Sequence, residues 1–215
     1  RAAAGGRLRR ARLRSVSQQP PDERTLIGAE DEIDRRLEAL SPRAQAAFYI
    51  WAARGLQPAY ERFVRREAWG DVEVLARSIA VADRFVHLNE APSSGEVTEL
   101  GEALQSAAPH ADDFDDPDTV GAQDAVIAAD AALRLARGVS VNGLALYILE
   151  HAELAVTYRR TGSTGLGSGP EADAWDREII NEPSMRSAIE AVEAAVSALE
   201  ANRPIVADGS ALDPS

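Results

Sequence analysis

The chain has no cysteine and no lysine. Without cysteine there is no disulfide framework, no thiolate zinc site and no thiol nucleophile. Without lysine there is no Schiff-base amine and no phosphate-loop lysine. All 23 basic residues are therefore arginine. Together with abundant Ala, Gly and Asp, this reads as the codon bias of a GC-rich bacterial genome rather than as chemistry. Aromatic residues make up 5% of the chain, against 45% for apolar residues as a whole. That pairing favours close-packed helices, because sheets draw on β-branched and aromatic side chains. No apolar run reaches the length of a membrane span, and no charged start followed by an apolar stretch marks a secretory signal. No membrane partner and a cytoplasmic location are expected.

What is present is acid. The net charge is −12 over 215 residues. Seven arginines fall within residues 1–24 against Asp22 and Glu23 alone, so the remainder is more acidic still. Such a body repels nucleic acid and anionic membrane and suits a basic protein or a cation. Residues 1–26 lack a sustained helical face and close on Pro20-Pro21, which reads as a disordered basic tail. Residues 27–205 read as one domain and residues 206–215 as a second disordered tail.

Within the domain the apolar spacing is helical. Residues 28–40 form a first helix. Ser41-Pro42 is an N-cap with proline at the first helical position. Apolar residues then recur at Ala44, Ala47, Phe48, Trp51, Ala52, Leu56, Ala59, Tyr60 and Phe63, one face of a long helix. Pro58 removes a backbone donor and is expected to kink it near Arg54. Asp71 caps a helix at about 72–89, and others are expected at 96–107, 119–137, 141–160 and 171–202. The fold class is all-α, a single-domain bundle of six or seven helices. Gly165-x-Gly167-x-Gly169 follows a helix rather than a strand and has the wrong spacing for a dinucleotide loop, so it reads as a linker.

The densest chemistry is the run Pro109-His-Ala-Asp-Asp-Phe-Asp-Asp-Pro-Asp118. Five carboxylates in one short loop repel unless helix N-termini, arginines or a divalent cation offset them. Counted from Asp113 as position one, Asp115 stands at three and Asp124 at twelve. Pro117 then stands at five, Asp118 replaces the glycine at six, and position twelve lacks Glu, which excludes an EF-hand. A looser Mg²⁺ or Ca²⁺ site built from Asp112, Asp113, Asp115 and Asp124 stays open. The competing reading is capping, with Asp115, Asp116 or Asp118 accepting the free amides of the helix that starts near Thr119. Asp124 sits in an Ala/Val/Ile-rich stretch and is expected to point inward, either as a satisfied buried ion pair or toward a ligand.

Other constellations are weaker. Glu96-x-x-Glu99 before Asp112-x-x-Asp115 has the look of paired acidic magnesium motifs, but the second pair lies between two prolines. Glu150 and Glu153 offer a second acidic pair on a helix, against which Glu150-His151 reads as a solvated edge. Asp83 and His87 are four apart, the spacing of a local ion pair. No Glu-x-x-His, His-Glu-x-x-His or Gly-x-Ser-x-Gly is present, and nothing resembles an assembled nucleophile, base and oxyanion hole. Trp51, Trp69 and Trp175 read as packing residues on apolar helical faces.

In order along residues 30–200, several motifs resemble those of the YjaG-like bacterial family, a family of unknown function. Pro58-Ala-Tyr60-Glu-Arg-Phe63 is similar to its Pro-x-Tyr-x-x-Phe signature, and Trp69-Gly70-Asp71 to its aromatic-Gly-Asp turn. Pro109, Phe114 and the intervening Asp112-Asp113 are similar to its Pro-x-x-Asp-Asp-Phe-Asp loop. Asp124-Ala125 and Trp175-Asp176 match two later dipeptides. The resemblance implies an all-α cytoplasmic domain and no particular activity. The function expected from the chain is a non-enzymatic protein-binding module, of immunity or regulatory type, with no obligate cofactor. The alternative is a divalent-metal-binding, nucleotide-hydrolysing protein that uses the Asp-rich loop.

Overall fold

In a computed structural model, residues 25–109, 116–141, 143, 145–162, 170–207 and 209–214 are described. Side-chain oxygens open the first helices by taking up amides that have no partner inside a first turn. Thr25 Oγ1 accepts from Gly28 N at the start of α1 (Leu26–Glu38), and Ser41 does the same from Ala44 N for α2 (Pro42–Glu67). Asp71 accepts from both Glu73 N and Val74 N for α3 (Val72–Leu88), and Ser93 from Glu96 N for α4 (Ser94–Ala107). There follow α5 (Pro117–Ala136), α6 (Ala145–Thr161), α7 (Pro170–Ile179) and α8 (Pro183–Glu200). A 3-10 turn spans Gly209–Leu212. The described residues thus form an all-α bundle of eight helices without a strand. No described helix is long and apolar enough to cross a membrane.

At the centre α2 and α5 pack along most of their lengths, with α3, α4 and α6 around α5, and α8 against α1 and α6. Small side chains make this close approach possible. Ala122, Ala125, Ala128, Ala129, Ala131 and Ala132 of α5 are all buried, so the helix is apolar on nearly every side. Large residues come from α2, where Phe48, Leu56, Tyr60 and Phe63 are fully buried. Each such side chain contributes about 1.5–3 kcal/mol by leaving water.

Helix α2 continues through Pro58, which is exposed. Two elements differ from expectation. The helix expected over 171–202 is two helices. Pro183 supplies no amide, so the chain turns at 180–182 and restarts with proline in the first turn of α8. Residues 209–214, expected to trail away, return to the body: Leu212 is fully buried and the 3-10 turn packs on α2 and α8.

Candidate functional site

The segment after α8 crosses α2 as a strap. Trp51 Nε1 donates to Ala207 O at 3.0 Å. One turn further along α2, Gly55 faces the backbone of Gly209, and a Cβ on Gly55 would collide with the Gly209 carbonyl. Glycine there is a matter of space. Two turns on, Arg62 takes up Asp213. Its Nη1 donates to Asp213 Oδ2 at 2.7 Å and its Nη2 to Oδ1 at 2.6 Å, a bidentate fork. The same guanidinium reaches Asp118 Oδ1 at the start of α5, from Nη2 at 2.7 Å and Nε at 3.1 Å. On α6, His151 Nε2 lies 3.1 Å from Asp213 Oδ1.

This cluster joins α2, α5, α6 and the strap. His151 is 1% exposed. It fits because residue 121 of α5 is glycine: a Cβ there would lie 2.8 Å from His151 Nδ1 and 2.8 Å from Ala59 Cβ. Burial alone would raise the Asp213 pKa, but the hydrogen bonds from His151 and Arg62 outweigh it and hold the carboxyl at about 2. The two carboxylates in turn push the Arg62 guanidinium well above its usual range.

One ligand atom from each of Asp118, His151 and Asp213 falls within 4.8 Å of the others, a spacing that could hold a metal ion. Arg62 already sits on both carboxylates, however, and a divalent ion would have to displace it. What the arrangement does as it stands is neutralise two acids and fasten the strap to three helices.

Of the acidic run, Asp112, Asp113, Phe114 and Asp115 lie outside the described residues. Asp116 and Asp118 are described, and arginines rather than helix amides offset them. Asp116 occupies the N-cap position of α5 without a side-chain capping bond. Its carboxylate pairs with Arg66 of α2, which also reaches Asp118 Oδ2 at 3.4 Å. Asp124 is buried at 1% exposure, inward as expected, one turn beyond the buried Val120 and beside the buried Ala125.

The remaining motif residues fall into separate structural units. Tyr60 is fully buried, and its hydroxyl accepts from Asp71 N at 2.9 Å and donates to Ala107 O at 3.3 Å. Burial pushes the phenol upward, against a smaller lowering by the Asp71 amide. Gly70 takes φ +101°, and a Cβ there would meet that hydroxyl at 2.8 Å. Tyr60, Gly70 and Asp71 therefore form a clamp that ties the α2–α3 turn to the end of α4, where Pro109 is also buried. Phe63 belongs to the core. Trp69, expected to pack, is 51% exposed at the turn. Trp175 of α7 donates to Thr157 Oγ1 at 3.3 Å and stacks under the Arg160 guanidinium, 4.7 Å from its ring centre. Asp176 follows it in the same helix.

Sequence reasoning missed Arg62, His151 and Asp213. For His151 a signal existed: with Ile148, Ala152 and Ala155 it keeps the spacing of a buried helical face. For Arg62 and Asp213 there was none, since their pairing spans 151 residues. Glu96 and Glu99 form surface pairs with Arg84 at 2.9 Å and Arg77 at 3.6 Å. Asp83 Oδ1 lies 3.4 Å from His87 Nε2, the local pair their spacing implied.

No family model and no curated protein matches the chain. Among solved structures it is similar to a DUF416 family protein from Shewanella baltica OS155, at 18% identity and a TM-score of 0.62. The likeness covers 82% of this chain and 88% of that one. At that identity it shows the fold: the helical arrangement is shared with a protein from a family of unknown function.

Proposed function

We propose that this protein is a non-enzymatic binding module, of immunity or regulatory type, whose acidic helical body engages a basic protein. The observation that carries this reading is how the charge is used. Most arginines of the body are drawn into ion pairs within the chain, such as Arg36 with Glu200, Arg62 with Asp118 and Asp213, and Arg160 with Glu178 and Glu182. Exposed Glu38, Glu73, Glu90, Glu102 and Glu190 make no ion pair among the described residues. With a net charge of −12, the surplus at the surface is carboxylate. Complementary charge speeds encounter and selects against acidic competitors. The test is the affinity of a purified basic partner, captured at 50 mM salt, measured again at 500 mM. Tenfold or greater weakening is expected from screening. Equal affinity at both would contradict the reading.

A second reading is favoured by the burial of Asp124 on the helix that the acidic run leads into. Here Asp112, Asp113, Asp115 and Asp124 hold Mg²⁺ or Ca²⁺. It expects a metal-specific rise in melting temperature that Asp113→Asn abolishes. We also infer membership of the YjaG-like family and a cytoplasmic location, supported by the ordered motifs and by the shared fold.

A further inference from the structure

One groove carries charge of the opposite sign to the body. It lies between the start of α2, the last turns of α3 and the residues that leave α8, and has a volume of about 400 Å³. Pockets of roughly 300–1,000 Å³ are the size that takes small organic ligands. Its apolar surface comes from Ala47, Ile50, Trp51, Val86, Leu199 and Ile205.

Three guanidiniums reach the groove, from Arg43, Arg54 and Arg203, against one carboxylate, that of Asp83. Arg43 Nε donates to Val86 O at 2.6 Å, which fixes the side chain. Its two terminal nitrogens make no further bond among the described residues. Arg54 Nη2 stands 3.3 Å from Asp83 Oδ1 and is half exposed. Arg203 is exposed, and its side chain makes no hydrogen bond or ion pair among the described residues. The first turn of α2, with Ser41 and Ala44 at the same rim, adds the partial positive charge of a helix N-terminus.

We propose that this groove binds a small organic anion: a carboxylate or phosphate head held by Arg43, Arg54 and Arg203, and an aliphatic or aromatic body laid against Ile50 and Trp51. The planar guanidinium fork matches both oxyanions. Charge argues against two other occupants. The chain's own residues 1–24 carry seven arginines, and a basic protein partner has the same sign. The inference is independent of the protein-binding reading, since that surface is acidic and this groove is not.

The test is isothermal titration of the whole chain with octanoate, octyl phosphate, octylammonium and octanol, on wild type, Arg203→Gln and Asp83→Asn. Saturable one-to-one binding of octanoate or octyl phosphate is expected, and the tighter of the two identifies the head group. Octylammonium and octanol are expected to bind at least about tenfold more weakly than the better anion. Arg203→Gln, which breaks no internal contact, weakens the anion about tenfold, the worth of one charged hydrogen bond. Asp83→Asn tightens it, because the one opposing carboxylate is gone. Opposite shifts in two variants are not what a folding defect produces. The proposal is overturned if neither anion saturates, if octylammonium or octanol binds as tightly, or if both variants shift affinity in the same direction.

Discussion

Asp213 Oδ1 lies 3.1 Å from His151 Nε2, with the two side chains 5% and 2% exposed. A residue just past the last turn of the structure is thereby anchored on α6, and through Arg62 on α2 and α5. The cluster's chemistry is that of a lock: every charge on it is met by an opposite charge or a hydrogen bond from another element.

Removing the Asp213 charge is expected to undo that lock. In Asp213→Asn the guanidinium of Arg62 keeps Asp118 but loses its second carboxylate, and His151 loses a charged partner in a buried position. Breaking a buried pair this way costs about 3 kcal/mol. A chemical denaturation series reads the cost, and limited proteolysis should show cleavage within residues 201–214 well before cleavage of the helices. A variant as stable and as resistant as wild type would mean the strap is held elsewhere.

How much of this was legible in the sequence follows from the range of each interaction. Caps at Ser41 and Asp71 are local, three residues or fewer from the amides they serve, and could be read directly. The α2 face from Phe48 to Phe63 could be read because its period is that of a helix. Pro183 could have been read as a helix start, since Asn181-Glu182-Pro183-Ser184 breaks the apolar spacing there. The Arg62–Asp213 pair could not be read, because nothing local distinguishes either residue from a solvated charge. Gly55 is similar. Its role is to leave room for Gly209, which only the fold reveals.

The acid limb of stability carries the same signature. Asp213 has a folded pKa of about 2 against an ordinary value of 3.8. A depressed carboxyl contributes stability that is fully present above the unfolded value and is lost as pH falls through the folded one. About 2 kcal/mol should therefore disappear between roughly pH 4 and pH 2. Denaturation midpoints across that window check it. In Asp213→Asn the slope over the same window should be shallower by about that amount, and an unchanged slope would remove Asp213 from the explanation.

Gly55→Ala reverses sign with context. Alanine is the better helix former by about 1 kcal/mol, yet its Cβ would strike the Gly209 carbonyl. In the full chain the substitution should lower stability and expose the strap to hydrogen exchange at Ala207 and Leu212. In a chain ending at Val206 the same change should be neutral or stabilising. Stabilisation in both chains would mean that the close approach of the two glycines has no energetic weight.

Tyr60→Phe isolates the clamp at the α2–α3 turn. The core loses no apolar surface, while the Asp71 amide and the Ala107 carbonyl each lose a partner. About 1–2 kcal/mol is expected, the cost of stranding buried polar groups. Because the defect is at the turn, amide exchange should speed up first at Asp71 and Glu73. Uniform acceleration across the bundle would place the loss in packing instead.

The most direct test of the lock is a thermal melt of wild type, Asp213→Asn and Asp113→Asn, each in EDTA and in Mg²⁺, Mn²⁺ or Ca²⁺. With Arg62 already neutralising Asp118 and Asp213, the account predicts that Asp213→Asn melts about 5–10 °C below wild type, by the same margin in every buffer. A metal-specific rise in wild type that survives in Asp113→Asn but vanishes in Asp213→Asn would contradict it, and would make Asp118, His151 and Asp213 a metal centre.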